Sequence, residues 1–189
     1  MAFRGEAGRP ILRQMFILYA IPLGLVVGWL AGGRLDGLAS MRFRLAPLAA
    51  LALAVQFVLF SPLADGLPPD VGRWIYVAST ALVVAVMLAN ARLVGVPIVV
   101  AGAALNLAAI VANGGAMPAG ASALAALGAG IGSHTNSILV ERPTVEPLTD
   151  VFATPTWLPF ANVFSVGDIL IGTGVAVAIA AAMRRPDPD

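Results

Sequence analysis

Five apolar stretches divide this chain into candidate membrane spans. A helix that crosses a hydrocarbon core of ~30 Å needs about 20 predominantly apolar residues. The apolar stretches cover residues 15–31, 45–60, 74–89, 93–112 and 165–183. They predict an all-α integral membrane protein, a bundle of about five transmembrane helices.

The composition excludes a water-soluble globular protein. Hydrophobic residues make up 59% of the chain and charged residues 11%, whereas a soluble domain carries about 25% charged residues. The mean hydropathy is +0.91. The lipid bilayer is therefore the expected partner of this chain, with other membrane-protein subunits as possible further partners.

Few residues are available for metal, cofactor or nucleic-acid chemistry. The chain has no Cys and a single His, so a Cys- or His-built metal site is not expected. The eleven basic residues are all Arg and are scattered along the chain, which is unlike the clustered basic patch of a nucleic-acid-binding protein. We expect no metal, no cofactor and no nucleic-acid partner.

The distribution of Arg predicts an orientation in the membrane. The loops after the first and third spans and the C-terminus share one side, which carries six Arg, at positions 34, 42, 44, 92, 184 and 185. By the positive-inside rule this side is cytoplasmic. The expected organisation is a polar N-terminal extension (1–14), one helical membrane domain (15–183) of an inner-membrane protein, an external loop (113–164) and a cytoplasmic tail (184–189).

The external loop contains a shorter apolar segment, residues 119–132. It is too short to span the bilayer, so it predicts a short interfacial helix or a re-entrant helix covered by protein. The polar residues that follow include His134, which we interpret as an incidental surface residue.

Small and polar residues mark possible contacts between the spans. Gly24, Gly28 and Gly32 recur every four residues on one helical face, a spacing that allows close helix packing. Gln56 lies in the middle of the second span and is expected to face another helix, because an amide that faces lipid would be unsatisfied. Asn106 and Asn113 are seven residues apart and share a helical face. This pair predicts a shared partner or cavity, or alternatively one interhelical hydrogen bond and one helix-end cap.

An acid opens the last span. Asp168 follows Ser165 at the spacing of a capping box, in which each side chain bonds a free backbone amide at the helix start. The alternative is that Asp168 meets Asp150 at the outer membrane face. Two carboxylates within ~4–6 Å shift one pKa strongly upward, and such a pair can share the general acid and general base roles of an aspartic peptidase.

Several of these residues occur in motifs with a wider resemblance. The motifs are Asn106, Asn113-Gly114-Gly115-Ala116-Met117-Pro118, Leu148-Thr149-Asp150 and the segment from Val163 to Gly172. Together they resemble a bacterial membrane family, domain of unknown function 5317. The resemblance implies a multi-span membrane protein and no particular activity.

A narrower resemblance covers Asp150-Val151-Phe152 and the segment from Phe164 to Ile171, together with Asn113-Gly114-Gly115-Ala116. These residues are similar to the active-site region of lipoprotein signal peptidases. The resemblance implies that Asp150 and Asp168 are a catalytic pair.

Three functions follow as hypotheses. The first is a non-enzymatic accessory subunit or small-ligand-binding membrane module, with Asn106, Asn113, Gln56 and Ser165 as candidate polar contacts. The second is a membrane-embedded aspartic peptidase that acts at the outer face through Asp150 and Asp168. The third is a small transporter, in which Gln56, Asn106 and Thr173 line a polar path.

Overall fold

The computed structural model describes residues 16–127, 137–139, 142–159 and 161–185. The predicted N-terminal extension, the segment with His134 and the last four residues of the tail lie outside the described residues. Within them the chain is mostly helical. The α-helices are α1 (Ala20–Leu30), α2 (Asp36–Ala39), α3 (Ala46–Leu59), α4 (Pro69–Ala89), α5 (Val96–Ala112), α6 (Ala121–Ala126) and α7 (Val166–Met183).

Two small sheets lie in the predicted external loop, where the sequence had suggested only a helix. Strand β1 (Met117–Ala119) pairs in parallel with β2 (Ser137–Leu139), and β3 (Phe152–Ala153) pairs antiparallel with β4 (Val163–Phe164). The rings of Phe152 and Phe164 stack across the second pair with centroids 5.5 Å apart. Short 3-10 helices occupy Phe16–Tyr19, Pro62–Ala64 and Glu146–Leu148.

Proline and glycine set several helix boundaries. Pro lies at the first or second position of α3, α4 and α5, where its missing N–H would have had no partner within the helix. The turn after α5 has positive φ at both Gly114 and Gly115, and this confirms the sharp helix stop that the Asn-Gly-Gly sequence predicts.

Helix α7 has a neighbouring helix on each of two sides. It packs against α1 and α5, while α4 packs against both α5 and α3. The contacts give the directions of the helices. Gly24 and Gly28 of α1 approach Ala176 and Met183 of α7 in the same order along the chain, so α1 and α7 are parallel.

Two other helix pairs, α5–α7 and α3–α4, run in opposite directions. Gly102 of α5 meets Gly167 of α7, and Gly95 meets Gly174, so this pair is antiparallel. The start of α3 lies beside the end of α4, because the Asn90 side chain accepts from the Arg44 amide at 2.7 Å and donates to the Arg44 carbonyl at 2.8 Å.

The loops between the helices lie at two opposite ends of the bundle. At one end, which we call the Arg-rich end, the Arg34 amide donates to the carbonyl of Met183 at 2.7 Å, and the helix directions put the Arg44–Asn90 contact at this end too. At the other end, the loop end, the Tyr19 hydroxyl donates to the carbonyl of Pro159.

The helix lengths differ from the predicted spans. Two helices, Pro69–Ala89 and Val166–Met183, are long and apolar enough to cross a membrane by length and composition, while Ala20–Leu30, Ala46–Leu59 and Val96–Ala112 are apolar but shorter. Five transmembrane helices therefore remain a prediction. Helix α6 has 6 residues, fewer than the predicted segment 119–132.

The predicted glycine face of the first span is partly wrong. Gly24 and Gly28 are buried against α7. Gly32, however, lies beyond the end of α1 with a φ of +78°, and a Cβ there would meet no atom within 4 Å. Gly33 takes its place against Met183, because the chain turns at Gly32 and leaves the helical face.

Candidate functional site

The start of α7 is built around a complete capping box. The Asp168 amide donates to Ser165 Oγ at 3.1 Å, and the Ser165 amide donates to Asp168 Oδ2 at 2.9 Å. Ser165 has the extended backbone of a helix N-cap, with φ −105° and ψ 172°. This geometry confirms the capping box that the Ser-x-x-Asp spacing predicts. The carboxylate also lies at the positive end of the α7 dipole, which favours a negative charge.

A side chain from α5 extends this box into an interhelical network. Asn106 Nδ2 donates to Asp168 Oδ1 at 2.8 Å, and Ser165 Oγ lies 2.8 Å from Asn106 Oδ1. Ser165 Oγ is also 2.9 Å from Asp168 Oδ2, but a hydroxyl has one proton to donate. Donation to Asn106 Oδ1 leaves each oxygen of the network with a donor, because Asp168 Oδ2 already accepts from the Ser165 amide.

The network joins the middle of α5 to the first turn of α7. Ser165 exposes none of its surface, and Asn106 and Asp168 are half-buried. Buried polar groups that have all their partners hold a packing arrangement in place, whereas an unpaired one is costly. Both carboxylate oxygens of Asp168 accept hydrogen bonds from neighbouring chain atoms. The arrangement therefore accounts for this acid through helix capping and helix pairing.

Glycine lets the two helices come close enough for these bonds. A Cβ at Gly167 would overlap the Asn106 amide, and one at Gly102 would overlap the carbonyl of Gly167. Gly95 and Gly174 form a second reciprocal contact. Close backbone approach at small residues is a common way for membrane helices to pack. The sequence pattern did not single out these four glycines as packing residues, although each pair, Gly95 with Gly102 and Gly167 with Gly174, is seven residues apart.

Asp150 lies in the loop end and is buried, with 5% of its surface exposed. Its amide donates to the carbonyl of Pro118 at 3.0 Å, and its carbonyl accepts from the Gly120 amide at 2.9 Å. These bonds place the residue beside β1. The preceding 3-10 helix, Glu146–Leu148, contacts both α5 and α7. The structure thus puts Asp150 and Asp168 at the same end of the bundle, with Asp150 paired to the segment around β1 and Asp168 in the first turn of α7.

Asn113 has partners different from those of Asn106. Its Nδ2 donates to the carbonyls of Ala109 at 2.8 Å and Thr144 at 2.9 Å, and its Oδ1 accepts from the Thr144 amide at 2.8 Å. Asn113 therefore caps α5 and fixes the external loop. The two asparagines match the alternative of one interhelical bond and one helix-end cap, and a role in ligand contact remains a prediction.

Gln56 faces a neighbouring helix, as the sequence suggests. Its Nε2 lies 3.2 Å from both Ser79 Oγ and Thr80 Oγ1 of α4. Gln56 thus belongs to the α3–α4 interface, whereas Asn106 belongs to the α5–α7 interface. These two candidate polar contacts lie in different interfaces.

Comparison with known proteins gives one match. No curated protein and no solved structure matches the chain, and the similarity to lipoprotein signal peptidases gains no support from these comparisons. The model of one family, described as a family of unknown function (DUF5317), matches residues 40–180. This range includes the Asn106–Ser165–Asp168 network and most of the chain, and the protein is therefore a member of the DUF5317 family.

Proposed function

We propose that this protein is a polytopic inner-membrane protein with five spans that acts by binding, as an accessory subunit or a small-ligand-binding membrane module. The observation that carries the proposal is the apolar surface of its helices. Large exposed hydrophobic side chains occur along α1, α3 and α4, among them Leu23, Val26, Leu30, Leu51, Leu53, Phe57 and Trp74. Contiguous apolar surface of this kind is typical of a membrane or partner interface.

The directions of the helices support a five-span arrangement. In a chain that crosses the bilayer five times, consecutive spans are antiparallel and the first and last spans are parallel. The α5–α7 pair, the α3–α4 pair and the α1–α7 pair have these relations. The shorter helices α1 and α3 have 11 and 14 residues, and adjoining apolar residues would complete their spans.

The Arg-rich end supports the proposed orientation. Arg34 and Arg44 lie there through their backbone contacts with Met183 and Asn90, and Arg184 follows α7 at the same end. The positive-inside rule places this end in the cytoplasm. The loop end, with β1 to β4, is then external.

A binding role is supported by how the intramembrane polar groups are used. Gln56, Asn106 and Asp168 bond to other side chains or to the backbone, so each has a structural explanation. A transporter needs polar residues that line one path, whereas Gln56 and Asn106 lie in two different helix interfaces.

Extraction of cell membranes with alkaline carbonate tests the membrane assignment. We expect the protein to stay in the pellet with integral proteins, and its release into the supernatant would contradict the proposal. Purification in mild detergent then tests the binding role. A protein or small molecule that co-purifies in fixed ratio is expected, whereas a lone monomer without a bound molecule would count against it.

An aspartic peptidase is the second candidate, favoured by the contact between Glu146–Leu148 and α7, which brings the Asp150 segment to the bundle. The test is cleavage of a membrane-anchored precursor by the parent protein and by Asp150→Asn. Cleavage that Asp150→Asn abolishes, in a variant that is still folded, would favour the peptidase. Absence of cleavage by the parent protein would favour the binding role.

A further inference from the structure

A cleft between the start of α4 and the end of α5 has the features of a lipid headgroup site. Its volume is about 270 Å³. Asp70, Arg73 and Trp74 line one side and the Gly114-Gly115 turn lines another. The cleft opens at the loop end of the bundle, where the proposed topology places the outer interface of the membrane.

Two opposite charges lie at the mouth of the cleft. Arg73 Nη1 is 3.4 Å from Asp70 Oδ1, and the two side chains are 52% and 87% exposed. An ion pair with such exposed side chains and such a long N–O distance contributes little to stability. A ligand can therefore bind both groups at little cost in free energy. A guanidinium suits a phosphate, and a carboxylate suits an ammonium group.

The remaining lining is apolar and aromatic. Val77 and Val111 lie about one helical turn further from the loop end than Arg73 and Gly114, so they would contact the upper part of an acyl chain. Trp74 is 73% exposed and borders the cleft. An indole ring prefers the membrane interface and attracts a cation over its face.

Gly115 shapes this cleft. Its φ is +88°, and a Cβ there would come within 3.0 Å of Arg73 Cβ. A side chain at this position would therefore push against the stem of Arg73. The glycine turn lets the guanidinium stem lie close to the end of α5.

From these features we propose that the cleft binds a zwitterionic phospholipid with a primary-amine headgroup. Arg73 contacts the phosphate, Asp70 and Trp74 contact the ammonium group, and Val77 and Val111 contact an acyl chain. This proposal rests on the membrane location of the proposed function and names its ligand class. The acyl-chain contacts favour a lipid over a free phosphoamine.

The test uses a protein whose only tryptophan is Trp74, made by Trp29→Phe and Trp157→Phe at two exposed positions. The protein is reconstituted into bilayer discs of phosphatidylglycerol that contain a fixed fraction of phosphatidylethanolamine with brominated chains. Quenching of Trp74 is compared with that by brominated phosphatidylglycerol at the same fraction. The binding ratio is the relative affinity for the amine lipid divided by that for phosphatidylglycerol. We expect this ratio to be about two to five, which corresponds to the free energy of an exposed ion pair.

Matched variants assign the effect to the cleft. Asp70→Asn is expected to reduce the ratio to about one, because Asp70 contacts the ammonium group that only the amine lipid carries. Arg73→Gln is expected to weaken quenching by both lipids, because both carry a phosphate. Arg34→Gln breaks another exposed ion pair, in which Arg34 Nη2 is 3.2 Å from Asp36 Oδ2, and is expected to leave the ratio unchanged. Soluble phosphoethanolamine should not relieve the quenching, because it has no acyl chain.

Several results would overturn the proposal. One is a ratio of one in the parent protein, and another is a ratio that Asp70→Asn leaves unchanged. Relief of quenching by phosphoethanolamine would show a site for the free headgroup. If the protein inserts into the discs but shows no lipid preference, the lipid site alone is contradicted. If the protein fails to insert, both the proposed membrane location and the lipid site are contradicted.

Discussion

Asp168 illustrates at the scale of one residue how an acid is accommodated at the start of an apolar helix. Apart from the Ser165 hydroxyl, two donors bond its carboxylate, Asn106 Nδ2 and the Ser165 amide. A carboxylate has only acceptors, so it satisfies both at once. An alanine side chain has no acceptor and leaves both donors without this partner.

Asp168→Ala is therefore expected to destabilise the fold by about 1–3 kcal/mol, because Asn106 Nδ2 and the Ser165 amide both lose their acceptor in a part-buried site. The measurement is the free energy of unfolding in mixed micelles with increasing denaturing detergent. Asp36→Ala, at an exposed ion pair, is the control and should change stability by less than about 1 kcal/mol. Equal stability of the two variants would contradict the role of the network.

Ser165→Ala tests the same network at the residue that caps α7. It removes a helix cap, which costs about 0.5–2 kcal/mol, and it removes the donor to Asn106 Oδ1. We expect its cost to fall when Asn106→Ala is also present, since the two residues share a hydrogen bond. Strict additivity in this double-mutant cycle would argue against the assigned bond. Ser122→Ala, at an exposed position, serves as the neutral control.

At the scale of elements, α7 is the helix on which the bundle is assembled. Glycines from α1 and α5 meet it from two sides, and Gly37 of α2 meets the carbonyl of Ala182 near its end. Its own small residues leave room for these backbones. In the proposed bilayer location, packing at such contacts depends on shape, because lipid tails are as apolar as the side chains that the helices would bury.

Gly167→Ala should separate α5 from α7, because its Cβ would overlap the Asn106 amide and approach the Gly102 carbonyl. Overpacking of this kind costs about 1–3 kcal/mol and exceeds the gain of about 1 kcal/mol from replacing a helical glycine by alanine. Gly66→Ala is the matched control, since a Cβ there meets nothing within 4 Å. Unfolding measurements that rank the two variants alike would refute this contact.

At the scale of the whole molecule, the two ends of the bundle differ in composition. The Arg-rich end gathers the α1–α3 connection, the α4–α5 connection and the end of α7. The loop end gathers the sheets and the start of α7. A five-span protein with these ends has Gly66 and Thr156 outside and Ala39 inside.

Cysteine labelling tests this topology directly, because the chain has no cysteine of its own. Gly66→Cys and Thr156→Cys are expected to react with a membrane-impermeant maleimide on intact spheroplasts. Ala39→Cys should react only after the membrane is opened. The reverse pattern would invert the proposed orientation, and labelling of all three positions in intact spheroplasts would contradict the five spans.

Local sequence patterns predicted much of the helical framework. Apolar runs located α1, α3, α4, α5 and α7, and the Ser-x-x-Asp spacing predicted the cap at Ser165. The Asn-Gly-Gly turn predicted the end of α5. Prediction failed for β1 to β4 because their strands are two or three residues long and are held by pairing with distant segments.

The sequence by itself determined the mostly helical fold, the apolar helices and the cap of α7, since each depends on residues that are neighbours in the chain. Only the tertiary structure decided that Asn106 reaches Asp168, that Gly102 faces Gly167 and that Arg73 borders a cleft. Hydropathy is a property of one segment, and it does not specify which faces of two helices meet. That choice depends on close packing between backbones far apart in the sequence, and here glycine makes the packing possible.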